Sequence, residues 1–195
     1  MLYIPDLPPE VRAWLDSRGY HFPVLFAKGS SAGVWRVERN GIFFALKMEH
    51  AHSTRSQMAV KEEGNLRMAN GAGVGPRLVE SSAELRLILM EFVEGIPLGK
   101  WLALPRASAS VQRVVQRLFA QARALDAAGL DHGQLGGRLH NILIGPREEV
   151  WIIDFEKASP MRKPHNVNKI RARLFRSNPY LTALLHNHGV KPEDF

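Results

Sequence analysis

Residues 22–48 hold three strand-like runs in close succession, 22–27, 33–39 and 41–48, and the last two are joined through Asn40-Gly41. An Asn-Gly link suits the type I′ turn, whose twist matches adjoining antiparallel strands, so these runs are committed to an antiparallel sheet. A Gly-Ser loop joins the first two. Residues 76–80 and 85–92 read as two more strands, with a helix expected at 56–69 between the third strand and the fourth. From Val93 the period changes. Val111, Val114, Val115, Leu118, Phe119, Ala122 and Leu125 recur at helical spacing and predict one long amphipathic helix ending before Gly129. Strands gathered in the first half and helices in the second define an α+β chain. Ahead of the strands, Pro8-Pro9-Glu10 opens a short helix carrying Val11, Trp14 and Leu15.

Composition narrows the options. A chain of 195 residues with 45% hydrophobic and 23% charged residues is expected to form one domain with a real core. There is no cysteine, which removes disulfides and thiolate metal sites and fits a cytoplasmic location. No apolar stretch approaches membrane-spanning length, and residues 1–6 lack the basic and apolar regions of a secretion signal, so no membrane partner is expected.

The third strand carries the first candidate chemistry. Side chains alternate along it, so Phe43, Ala45 and Lys47 share a face. A small Ala beside Lys47 leaves room for a flat ligand and aims an ammonium at its phosphates. Such a charge needs an acidic partner in a partly dry cleft. On the following helix, Glu62, Leu66 and Ala69 lie at about 40°, 80° and 20° from Met58, within one stripe, while Glu63 lies about 140° away. Glu62 is therefore the expected partner of Lys47; the alternative is a side chain snorkelling at the edge of the stripe. In the loop at 28–35, Gly29, Ser30, Ser31 and Gly33 could lay backbone N–H groups over phosphates, or simply make a tight hairpin. The loop has no Gly-Lys-Ser/Thr ending and no helix after it, which argues against the P-loop fold.

A second hairpin follows the long helix. Asn141 opens one apolar run and Asp154 closes another, with a Gly145-Pro146 turn between them. The pair is either a metal-ligating amide and carboxylate or the polar ends of an ordinary hairpin.

Taken in order, Gly29–Gly33, Ala45-Leu46-Lys47, Glu62, Leu89-Met90-Glu91-Phe92, His132-Gly133-Gln134-Leu135, Asn141 and Asp154-Phe155-Glu156 resemble the motifs of protein kinases. The chain is most similar to the short RIO-like predicted serine/threonine kinases of archaea and bacteria. Asp154-Phe155-Glu156-Lys157-Ala158-Ser159 and the stretch from Arg162 to Val167 are the most specific parts. The resemblance implies a two-lobed kinase-like fold, with an N-terminal helical extension at 1–19, an N-lobe at 20–92, a reduced C-lobe at 93–176 and a tail at 177–195. It implies ATP and Mg2+ as cofactors. Lys47 would hold phosphates and pair with Glu62, the backbone of Glu91 and Val93 would meet adenine with Met90 behind it, and Asn141 and Asp154 would ligate magnesium.

Departures from the pattern bear on mechanism. Gln134 stands where kinases carry the Asp that orients the acceptor hydroxyl, and it lies seven residues before Asn141 where kinases have five. An amide orients but does not take a proton. Arg138 falls where a phosphate-neutralising Lys is common. Asp131 is the only carboxylate in the loop, either a substitute base or a cap of the turn after Gly129. Glu156 replaces a flexible Gly, and the short C-terminal region leaves little surface for an extended peptide, so the acceptor is a protein or a small hydroxyl compound of unknown identity.

Charge is uneven. Net charge is +7, and between Lys157 and Pro192 eight Lys and Arg residues occur without one Asp or Glu. A helix expected near 167–176 would set Lys169, Arg173 and Arg176 on one face, either a dock for RNA or an acidic partner or a solvated face. Three readings follow: an active phosphotransferase, a nucleotide-binding pseudokinase, and an RNA-associated module.

Overall fold

The computed structural model describes residues 7–50, 57–137 and 139–195. The chain divides into two units, one running to Glu63 and including Arg77–Phe92, the other made of Gly64–Pro76 and Val93–Phe195.

The first unit opens with α1 (Pro9–Asp16), where proline at the first helical position supplies a φ already suited to the helix. Strands β1 (His21–Lys28), β2 (Ala32–Arg39), β3 (Ile42–Glu49), β4 (Leu78–Ser82) and β5 (Leu87–Glu91) form one antiparallel sheet in the order β1-β2-β3-β5-β4. Helix α2 (Met58–Gly71) follows β3 and contributes its residues through Glu63 to this unit. The predicted start at Ser56 lies outside the described residues. Asn40 and Gly41 both adopt positive φ, 55° and 75°, as the expected hairpin turn requires. The register opposes Trp35 to Leu46, Val37 to Phe44 and Leu46 to Leu89, so these residues share one face. That face is buried together with Leu7, Val11, Leu15 and Tyr20 in a single hydrophobic cluster. Burying each such side chain contributes about 1.5–3 kcal/mol. The opposite face carries Val34, Arg36, Ala45, Lys47, Ile88 and Met90.

The second unit contains β6 (Ile96–Pro97), α3 (Leu98–Leu102), α4 (Ser108–Ala127), β7 (Ile142–Ile144), β8 (Val150–Ile152), α5 (Asn166–Phe175) and α6 (Pro179–Asn187). Its sheet has the order β6-β7-β8. All seven apolar positions predicted for the long helix are buried on α4. The β7–β8 turn is tied to α4 by Glu148, which takes hydrogen bonds from Ser110 Oγ at 2.5 Å and Arg113 Nε at 2.9 Å. One expectation is corrected. Residues 177–195 are not a tail: α6 is capped by Asn178, whose side chain accepts from the N–H of Leu181, and Phe195 stacks on Phe119 at 4.3 Å. The architecture is α+β, a five-stranded antiparallel N-lobe sheet and a mainly helical part.

Candidate functional site

In the first unit, Lys47 Nζ lies 2.9 Å from Glu62 Oε1 and 2.7 Å from Oε2. The side chains are 13% and 5% exposed. Removing one partner of such a pair costs about 3–5 kcal/mol, yet the intact pair contributes little more than well-packed apolar residues would. Ala45, two residues earlier on the same strand face, is buried and stands opposite Met90. A small cleft beside the pair is lined by Ala32, Lys47, Glu49, Met58, Glu62 and Ile88.

The glycine loop has its own structural logic. Gly29 donates its N–H to Ala32 O at 2.8 Å, and His50 N–H reaches Ser31 O at 2.9 Å, closing a tight turn. A Cβ on Gly33 would come within 2.5 Å of the Trp35 ring, so packing alone demands glycine there. Ser30 is exposed and Ser31 half-buried. At the end of β5, Glu91 N–H donates to Arg77 O at 2.8 Å, and Glu91 Oε2 accepts from Arg77 N–H at 3.2 Å. The Glu91 N–H, part of the backbone that the resemblance sets against adenine, is thus already used within the sheet. Val93, in the second unit, is half-buried.

In the second unit, β7 and β8 pair Ile142 with Ile152, and Ile153 N–H donates to Asn141 O at 2.9 Å. Asn141 and Asp154 therefore emerge at the same end of the hairpin. Asn141 is 5% exposed. Its Nδ2 donates to Gln134 Oε1 at 3.4 Å, so the carbonyl oxygen is the atom that could serve a metal. Asp154 adopts the left-handed conformation, φ 68° and ψ 71°, which Asp tolerates better than most residues. The chain after it is held firmly. Phe155 is buried against His132, ring centroids 4.9 Å apart, and Asn65 Nδ2 donates to the carbonyls of Phe155 and Ala158 at 3.1 and 2.8 Å. A Cβ on Gly75 would meet the Phe155 ring at 2.8 Å.

His132 is fully buried, with Nε2 bonded to Ile153 O at 3.0 Å and its backbone N–H to Asn166 Oδ1 at 3.0 Å. Burial lowers its pKa, so the ring is a neutral strut between the loop and the hairpin. Asp131 is held between two cations. Its Oδ1 accepts from Lys169 Nζ at 2.6 Å and its Oδ2 from Arg162 Nε at 2.8 Å, while its backbone pairs with Ser159 in both directions. Burial alone would raise its pKa, but the hydrogen bonds from Lys169 and Arg162 outweigh it and the net shift is downward. A carboxylate of lowered basicity with both oxygens engaged is poorly suited to accept a proton. Lys169, expected to present its charge outward from the basic helix, is thereby committed to Asp131. Arg138 lies outside the described residues.

Several contributors were not anticipated. Asn166 is completely buried; it donates to Leu130 O and Asp126 Oδ1, both at 2.8 Å, and its backbone N–H also reaches Asp126 Oδ1 at 2.8 Å. The start of α5 is thus capped by a side chain from α4, a partner 40 residues away that no local capping pattern announces.

A five-stranded sheet with a buried Lys–Glu pair at its third strand, together with a hairpin that sets an Asn and an Asp at one end, defines the kinase-like class. The family model of the RIO domain matches residues 37–172, from within β2 to within α5. The chain belongs to the RIO family, an atypical kinase-like family. A comparison with curated proteins finds no match. Among the described residues no helix is long and apolar enough to cross a membrane.

Proposed function

We propose that this protein is an ATP- and magnesium-dependent phosphotransferase that moves the γ-phosphate to a hydroxyl, of the atypical serine/threonine kinase type. The observation that carries this reading is the buried Lys47–Glu62 pair, a feature that stability alone does not explain. Lys47 neutralises phosphate charge, and Glu62 holds its ammonium in place. The donor set at the hairpin suits the metal: an amide oxygen and a carboxylate are hard ligands of the kind Mg2+ takes. Magnesium, when bound, would supply charge neutralisation to the phosphates. Asn141 and Asp154 would hold it, and Gln134 orients the Asn141 amide for that role.

Neither Gln134 nor Asp131 takes a proton readily, so transfer relies on positioning and charge and is expected to be slow. A second reading, a nucleotide-binding pseudokinase, is favoured by the same amide at Gln134. Labelled ATP separates the two. Slow transfer of the γ-label to the protein or to an added hydroxyl acceptor, abolished in Lys47→Ala and in Asp154→Ala, supports the enzyme. Tight Mg-ATP binding without any label transfer supports the pseudokinase.

A further inference from the structure

Glu49 is a buried carboxylate that phosphotransfer leaves without a task. It ends β3 two residues beyond Lys47, so both side chains leave the same face of the strand. Its side chain is 3% exposed. Oε1 accepts from the N–H of Ala59, and Oε2 accepts from Arg86 through Nε at 2.9 Å and through Nη2. Glu49 N–H also donates to Arg86 O at 3.1 Å, so the β4–β5 turn holds this residue by both backbone and side chain.

Ala59 lies in the first turn of α2, where backbone N–H groups have no partner within the helix. A side chain just before a helix usually supplies the acceptor. Here it comes from a strand, and its negative charge also suits the positive end of the helix. Two neighbouring residues on one face of β3 therefore grip α2 about one turn apart, Glu49 at Ala59 and Lys47 at Glu62. Two such points fix the height of the helix along the strand and its rotation about its own axis. With the Lys47 contact alone, a small rotation would carry Glu62 out of reach.

We propose that Glu49 is a positioning residue that clamps the start of α2, so that the Lys47–Glu62 pair stands assembled without an external activator. The consequence for nucleotide rests on the phosphotransferase reading; the clamp does not. The test labels Lys47 with an amine-reactive reagent, read by mass spectrometry, in the full chain and its variants, beside an Mg-ATP titration. In Glu49→Ala, labelling of Lys47 accelerates about tenfold, the weight of one charge-assisted hydrogen bond. Glu49→Gln keeps an oxygen for Ala59 but turns its NH2 toward Arg86, so its labelling rate falls between those of the unmodified protein and Glu49→Ala. Arg18→Ala, which breaks the exposed pair to Glu80 in the same unit, leaves Lys47 labelling unchanged. Unaltered labelling in a folded Glu49→Ala overturns the clamp. Should that variant not fold, Glu49→Asp, one methylene too short to reach Ala59, serves the same comparison with the same two outcomes. Loss of Mg-ATP affinity in step with faster labelling ties the clamp to nucleotide. An unmodified protein that binds no Mg-ATP removes the phosphotransferase reading and leaves the labelling result to judge the clamp.

Discussion

Asp131 precedes a fully buried histidine, and along the sequence it looks like an available carboxylate; only the fold shows two cations, 31 and 38 residues away, closing on it. Asp131→Asn keeps the size and removes the charge. It is expected to lower stability by about 2 kcal/mol, less than for a fully buried pair because Lys169 and Arg162 reach water on one side. The pH dependence has a definite sign. The folded-state pKa lies below the ordinary aspartate value of 3.8, so the contribution is present above that value and is lost as pH falls through the lower, folded one. Urea titrations at neutral pH and near pH 3 should show the gap between the two proteins narrowing in acid. Label transfer per folded molecule should barely change, whereas a loss of about a hundredfold or more with the fold intact would restore Asp131 as a base. The Lys47–Glu62 pair was legible because both residues sit in periodic elements, and the meeting of Asn141 and Asp154 at one hairpin end because each bounds a short apolar run. Glu49, Asn65, Asp126 and Asn166 were not, since each acts through partners distant along the chain.

Elements with strong local signals formed where the residues asked for them. The Asn40-Gly41 turn is the cleanest case: Gly41 has φ 75°, and a Cβ there would meet nothing within 4 Å. Gly41→Ala therefore adds no clash, only the left-handed conformation of an L-residue, and should destabilise by about 1–2 kcal/mol in a urea titration. A neutral result would mean that the hairpin relaxes to another turn type. The elements without a strong local signal are short or follow the basic run. β6 has two residues and α3 has five, too few for any period to register. α6 did carry a start signal, Asn178-Pro179, a side-chain cap followed by proline at the first helical position. Along the sequence the basic run before it has no acidic counterpart, whereas Asp131 supplies one in space.

For the whole chain, the eight cations between Lys157 and Pro192 overstate what is available to an outside partner, because Lys169 and Arg162 are engaged by Asp131. On the proposed phosphotransferase reading the partner is a magnesium nucleotide, and binding it would stabilise the folded state by mass action. An affinity between micromolar and millimolar is expected. At a hundredfold excess over Kd the gain is about 2.7 kcal/mol. For a chain of this size that corresponds to a rise in Tm of about 5–11 °C. Thermal-shift titration with Mg-ATP measures it directly. Chelating the magnesium should remove most of the rise, Asp154→Ala should make the response indifferent to the metal, and Lys47→Ala should weaken it at every metal concentration. A flat titration of the unmodified protein up to several millimolar nucleotide would sink both the enzyme and the pseudokinase readings, because each requires that the nucleotide bind.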